Sequence, residues 1–511
     1  PDLAAGLEQL LLLLTQGQGL AGVDQARPWG ASLSITSDGS QFPALVFLPV
    51  NDLTKLLDAL AAYIGEAVDA GDDIYEIKRN ANTYFITQKG KWAYLAQQKS
   101  ALDELPADPL KQLRGLDKRY DLAVSINVQN IPQALRDMAA DLIMQGLEAR
   151  LMQNAGDDDD DEDQGALQAQ LARSKAEQLV KRINELDQVT VGLNIDRAKS
   201  RTFLDLEVTA LPGSAAAKEF AASSEEAQGT RLAGVLLPEA VFSLHINSPI
   251  SGDEDELDEL FDNLRKQLMA EIEREEDLDE DQKETTKELA GKLVDIVEET
   301  AEEQERLNAG LVVVGKGPVT VVLGCLVSDG ADVEAMAKEF IKMAAENGDL
   351  SKLKQNVAKY KGFRFHSLTV PVPDDDDNDN AEKIRAALGD PVAVTLAFGD
   401  DVFYVALGEN GVDTIKQVMD GSAETPEEKL PEMMASLALA PVLKLAASRG
   451  GNPMAALMAE NLKLTGKDHV KITVAPVDNG VRYRIEGEEG INKLLGLSLG
   501  NAARMGGAGG Q

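Results

Sequence analysis

The chain has 511 residues, 87 acidic and 50 basic side chains, and a formal charge of −37. That balance repels a phosphate backbone at long range, which excludes nucleic acid as a partner and favours cations or basic surfaces. At roughly 100–200 residues per domain the length calls for more than one core. A hydrophobic share of 44 % with only 4 % aromatics makes those cores aliphatic. The single cysteine, Cys325, leaves no intramolecular disulfide and no cysteine-based zinc site.

The opening Pro1-Asp2-Leu3 has no basic stretch ahead of an apolar run, and Leu10 to Leu14 falls far short of the roughly 20 residues a membrane span needs. No later run reaches that length. The expectation is either a soluble, cytoplasmic protein or one whose export signal has been removed; a mature chain rarely starts with proline unless something was cut, which favours processing or truncation.

From Trp29 the pattern alternates through Ala31–Thr36, turns at Asp38-Gly39 and resumes from Phe42 to Val50, which predicts a hairpin. Asn51 is placed as the N-cap of a helix carrying Leu53, Leu56, Leu57, Leu60 and Ile64. Strands are expected over Ile74–Lys78, Thr83–Gln88 and Lys91–Ala96. A short helix from Ser100 leads to a strand over Asp121–Val128. Pro132 opens a long helix with Leu135, Met138, Leu142, Ile143 and Leu147. After an acidic run, a second helix (Leu167 to Leu186) precedes a hairpin, Val189–Ile195 and Thr202–Thr209, and a closing helix over Ala215–Ala222.

The same order returns. Ala240–Asn247 is a strand followed by a helix with Leu257, Leu260, Phe261, Leu264 and Leu268. Asp279 is read as the cap of a second helix carrying Leu289, Leu293, Ile296 and Val297. Hairpin strands Gly310–Val314 and Val319–Val327 follow, then a helix with Val333, Met336 and Phe340. Strands are expected over Phe363–Val370, Val392–Phe398 and Val402–Leu407, with a helix after Asn410-Gly411. Ser436–Ala440 with Pro441, the hairpin Val470–Ala475 and Val481–Glu486, and a helix over Ile491–Leu497 complete the second round. The fold class expected is α+β: two similar domains from internal duplication, 1–232 and 233–511, each a mainly antiparallel sheet of hairpins and meanders covered on one side by amphipathic helices. A flexible Gly-rich tail occupies 500–511. Three of the four internal units place a strand ahead of their helix. The helix Leu3–Leu14 has none, so the sheet is expected to present an open edge, filled by an upstream strand or by one from a neighbouring subunit.

Signs of chemistry are few. No Gly-x-Ser-x-Gly elbow or His-Glu-x-x-His helix is present. His245, His366 and His469 each lie in a strand-like run and read as structural. Gly310 to Gly317 matches a phosphate loop by count alone, with Gly317 where the hydroxyl should be and an apolar strand in between. Cys325 reads as an inert core thiol. Two acidic runs, Asp157–Asp163 and Asp374–Asn380, are expected as solvated loops, with Asp157, Asp159, Asp161, Asp374 and Asp376 as candidates for weak calcium association. The segment Asp277 to Glu288 has Gln282 where a calcium loop needs glycine, and reads as an acidic helix N-terminus.

The two-fold pattern and the strand-then-proline elements (Val128-Gln129-Asn130-Ile131-Pro132 and Asn247-Ser248-Pro249) resemble large, duplicated, signal-peptide-bearing proteins of unknown function from planctomycete-type bacteria. The resemblance is one of architecture and composition; it implies export and assigns no functional residue. The functional expectation is a non-enzymatic, exported structural or interaction protein of a surface or extracellular assembly, self-associating or meeting another surface protein. It is placed outside the cytoplasm: secreted, at the cell surface or in the periplasm. No cofactor is expected beyond weak Ca2+. The alternative is a binding module for an apolar ligand or lipid held by the Leu- and Met-rich segments 131–153 and 430–464. An enzyme using convergent carboxylates such as Asp72, Asp73, Asp400 and Asp401 ranks third.

Overall fold

The computed structural model describes residues 22–36, 39–79, 82–154, 182–225, 232–250, 254–274, 280–304, 306–315, 318–346, 350–351, 353–372, 379–424, 430–450, 453–465 and 467–496. The expected helix Leu3–Leu14, most of the expected helix from Leu167, the acidic run 157–163, residues 374–378 and the Gly-rich tail lie outside them. The chain is α+β and divides into two compact units, 1–217 with 491–511, and 218–490.

The first unit contains β1 (Gly30–Leu33), β2 (Ala44–Pro49), α1 (Leu53–Ile64), β3 (Ala67–Asp69), β4 (Ile74–Arg79), β5 (Asn82–Lys89) and β6 (Trp92–Ala96). Next come short 3-10 turns at Lys99–Leu102 and Pro109–Leu113, α2 (Leu116–Arg119), β7 (Leu122–Asn127), α3 (Gln133–Asn154), β8 (Leu186–Asp196) and β9 (Arg201–Ala210); α4 (Ala215–Glu225) begins in this unit and continues into the second. The six strands β1 to β6 form an antiparallel sheet in the order β1-β2-β6-β5-β4-β3, and β7, β8 and β9 form a meander. Phe47 stands opposite Tyr94 in the centre of the six-stranded sheet, and both are fully buried.

That sheet is covered on both faces. Leu53, Leu56 and Leu57 of α1 pack on Ile77, Ile86 and Ala93. On the other side Leu102, Leu110 and Leu113 of the 3-10 turns pack with Phe47, Ile74, Trp92 and Tyr94. One-sided coverage was the expectation. Alternate residues of β2, β4, β5 and β6 are apolar on both parities, so each face needs a lid. The cap of α1 is Asp52 rather than Asn51: its carboxylate accepts the Lys55 N–H at 3.1 Å.

The second unit contains β10 (Phe242–Pro249), α5 (Glu254–Arg274), α6 (Glu280–Gln304), β11 (Arg306–Val314), β12 (Thr320–Leu326), α7 (Gly330–Glu346), β13 (Lys354–Tyr360), β14 (Phe363–Val370) and α8 (Asp379–Leu388). It continues with β15 (Val392–Phe398), β16 (Val402–Leu407), α9 (Gly411–Glu424), β17 (Met433–Ala438), α10 (Leu439–Gly450), α11 (Pro453–Thr465), β18 (His469–Val477) and β19 (Gly480–Gly487). Its strands run β13-β14-β15-β16-β12-β11-β10-β17-β18-β19, each antiparallel to its neighbours. Ile415 and Val418 of α9 cover one face, packing with Leu232, Val235, Val312, Val322, Phe365 and Tyr404. Val333 and Ile341 of α7 cover the other, against Leu368, Leu396 and Phe398. Gly234 lies so close to α9 that a Cβ there would fall 1.9 Å from the Val418 carbonyl oxygen, which lets this turn seal the core.

Four elements depart from expectation. β3 and β13 were not foreseen, and the end of the acidic run 374–380 is helical, since α8 starts at Asp379. The strand expected over Ser436–Ala440 is β17, shifted to Met433–Ala438, with Leu439 and Ala440 opening α10 around Pro441.

Candidate functional site

The β7–β8–β9 meander has an unusual division of labour between its faces. Cross-strand partners share a face, and successive residues alternate. One face carries the rows Leu122–Leu193–Leu204, Val124–Val191–Leu206 and Ile126–Val189–Val208. These nine residues are all aliphatic, yet Leu122, Val124, Ile126, Val191, Leu204 and Leu206 are exposed, Val124 to 63 %. The opposite face carries Ala123–Gly192–Asp205 and Ser125–Thr190–Glu207. This face is the buried one, with Thr190 at 2 % and Asp205 at 1 % exposure.

The polar face is satisfied internally. Tyr120, at the end of α2, lies across Gly192, where a Cβ would come within 2.5 Å of its ring. Its hydroxyl donates to Asp205 at 2.9 Å, and burial, then the Asp205 bond, push its pKa up to about 12. Arg119 pairs with Glu207 at 3.1 Å, Ser125 and Thr190 share a 3.0 Å hydroxyl bond, and Gln188 donates to Ser125. The inverted pattern is legible as alternation in the sequence, but which parity faces inward is not. In the second unit, β18 and β19 leave Ile472, Tyr483 and Ile485 exposed in the same manner.

The residues weighed for chemistry do not converge. His245 stands on the α9 face of its sheet, in the row of Gly310, Gly324 and Tyr404, whereas His366 pairs with Leu396 on the α7 face. His469 shares the face of His245 but sits two strands and four residues away, roughly 10 Å across and 13 Å along. His245 is fully buried, and burial pushes its pKa down to about 4.

His366 belongs to a cluster that the sequence reading missed. The Asn356 N–H donates to His366 Nδ1 at 3.1 Å, so the ring proton sits on Nε2 and is donated to Glu334 Oε1 at 3.0 Å. Glu334 also accepts from Arg364 at 2.5–2.7 Å and from Lys338. Burial alone would raise the Glu334 pKa, but Arg364, Lys338 and His366 outweigh it and hold it at about 2. For His366 burial dominates over the carboxylate and lowers the pKa. Each member is engaged and the pair is buried, Glu334 at 6 % and His366 at 0 % exposure. The arrangement clasps α7 to β14. The available signal was Arg364-x-His366, two residues on one strand face.

Cys325 is half-buried on β12; burial pushes its pKa up, and Sγ donates to the Leu326 carbonyl at 3.2 Å, which keeps it a thiol. Asp72 and Asp73 form the turn into β4, both at positive φ, and Asp400 and Asp401 form the turn between β15 and β16. Gly310–Val314 is strand, as the spacing predicted, and Lys316-Gly317 lies outside the described residues. The calcium candidates Asp157, Asp159, Asp161, Asp374 and Asp376 also lie outside them. Among the described residues, Asp258, Glu298 and Glu302 on α5 and α6 bring carboxylate oxygens within 4.8 Å of one another. Glu298 already accepts from Arg265 at 3.1 Å.

Among the described residues, no helix is long and apolar enough to cross a membrane. No family model matches the chain, and no curated protein or solved structure matches it.

Proposed function

We propose that the chain is a non-enzymatic, exported interaction protein, built by duplication of one α+β plan, and that it self-associates through the open aliphatic face of β7, β8 and β9. The carrying observation is that this face exposes three aliphatic rows while the polar rows behind it are buried and satisfied. Contiguous exposed apolar surface on an otherwise highly charged protein marks an interaction site.

Support for duplication comes from strand order and register. The order β1-β2-β6-β5-β4-β3 corresponds strand for strand to β11-β12-β16-β15-β14-β13, and β7-β8-β9 to β17-β18-β19. Phe47 opposite Tyr94 corresponds to Gly324 opposite Tyr404. The row Ser125–Thr190–Glu207 corresponds to Ser436–Lys471–Glu486.

Sedimentation velocity over a concentration series tests the proposal. The chain is expected to associate, and V124K/L206K is expected to stay monomeric with an unchanged melting midpoint. A wild-type chain that remains monomeric throughout defeats the reading. If that monomer takes up a fluorescent fatty acid, the assignment passes to an apolar-ligand module, for which the exposed Met138 and Leu142 on α3 are the supporting observation.

A further inference from the structure

In the second unit β10 is a central strand, paired antiparallel with β11 on one side and β17 on the other. Two strands antiparallel to a common neighbour run parallel to each other, so β11 and β17 flank it in one direction. In the first unit the corresponding strands are β1 and β7. Each is the terminal strand of its sheet: β1 pairs with β2 and β7 with β8, and nothing pairs with their other edges among the described residues.

The segments that flank these two strands are in contact. Gly30, at the start of β1, packs against Leu113 of the turn leading towards β7. Gly39, beyond the end of β1, packs against Leu135 in the first turn of α3, which leaves β7. β1 and β7 therefore run in the same direction, as β11 and β17 do.

The register places side chains. Gly310 faces Gly324 and then Tyr404, as Gly30 faces Phe47 and then Tyr94; Gly30 thus takes the place of Gly310. Ser125 takes the place of Ser436 by the row given above. In β10, Phe242 stands between Val313 and Leu437, Leu244 between Leu311 and Ala435, and Ile246 between Ala309 and Met433. The matching pairs in the first unit are Leu33 with Ile126, Ala31 with Val124, and Trp29 with Leu122. All six are exposed, Leu33 at 66 % and Trp29 at 61 %. An antiparallel strand laid between them would continue three apolar rows and pair two open backbone edges at once.

We infer that β1 and β7 form a docking slot for an extended segment of a partner polypeptide. The segment adds as a strand antiparallel to both edges, with aliphatic residues at alternate positions facing outward and small or polar ones facing inward, as Ser243 and Asn247 do in β10. This rests on the interaction-protein reading and names the kind of partner it takes. Because the slot has two edges, each bound residue can use both its N–H and its C=O in the ladders.

The probe is a labelled synthetic peptide with the sequence of residues 240–250, titrated with the intact chain by fluorescence anisotropy and followed by amide hydrogen exchange. Binding is expected at one peptide per chain, with exchange slowed in 30–33 and 122–127. The same peptide N-methylated at Leu244 and Ile246 keeps every side chain but loses two ladder donors, and is expected to bind at least about tenfold more weakly. No binding, equal binding of the two peptides, or protection elsewhere would each overturn the slot. Self-association lost in V124K/L206K would still stand in that case, so the slot and the broader function fail separately.

Discussion

Tyr120 donates its hydroxyl to the buried carboxylate of Asp205 at 2.9 Å, with its ring laid flat on Gly192. Removing the donor takes one hydrogen bond from a carboxylate buried in the polar face, and a hydrogen bond to a charged group is worth about 1.5–3 kcal/mol. Tyr120→Phe is therefore expected to lower stability by that amount in urea unfolding. Gly192→Ala is expected to do the same by displacing the ring, and combining the two should give less than the sum because they strike one contact. Additive losses would show that the hydroxyl and the close approach act independently.

Acid sensitivity should divide into two windows. His245 has its pKa lowered by folding from 6.5 to about 4. The stability it contributes is complete above pH 6.5 and is lost as pH falls towards 4. Glu334 has its pKa lowered from 4.5 to about 2, so its contribution is complete above pH 4.5 and declines between 4.5 and 2. His245→Gln is expected to flatten the upper part of a stability-against-pH curve, and Glu334→Gln the lower part. Flattening of the wrong window by either variant would show that the titrating groups are misassigned.

At neutral pH, Glu334→Gln should also cost roughly 1.5–3 kcal/mol, the range for hydrogen bonds to charged groups. His366→Gln should cost less, because Arg364 and Lys338 still hold the carboxylate. Thermal melts of the two variants check the order.

Gly234→Ala drives a methyl group into the Val418 carbonyl and the Ser422 backbone nitrogen of α9. Overpacking of this kind costs about 1–3 kcal/mol or more. The expected result is a lower melting midpoint with the slope of denaturant unfolding preserved, since the unfolded surface is the same.

Chelator is expected to leave the melting midpoint unchanged, and so is excess calcium. Asp258 and Glu302 are exposed, and Glu298 is held by Arg265. A calcium-dependent rise abolished by D258N/E302Q would establish a cation site on the α5–α6 pair.

Much of the architecture was legible because the chain states it in long periodic runs. The heptad-like Leu53, Leu56 and Leu57 announced α1, and the unbroken Val392–Phe398 and Val402–Leu407 runs announced two central strands. β13 was hidden because Lys354–Tyr360 is mostly polar and exposed at a sheet edge, with a register break between Lys354 and Ala358 and Asn356 at positive φ. β3 has only three residues, too few for alternation to appear. α8 was masked by the carboxylates ahead of it, whose repulsion suggests a loop although Asp379 opens a helix. The clasp of Glu334 and His366 joins groups 32 residues apart on different elements, and no local pattern encodes it.

In most half-buried sheets the side chains that choose the register are the same ones that supply the apolar driving force. In the β7–β9 meander the two tasks are separated. Sliding β8 against β9 by one residue would turn Asp205 and Thr190 out of their bonds and bring aliphatic chains under Tyr120, so the polar rows alone are enough to fix alignment. The outward rows are then free to change without unsettling the fold. A version carrying threonine or lysine along them should fold as well and be more soluble, which makes stickiness in this protein a property that mutation can raise or lower without paying in architecture.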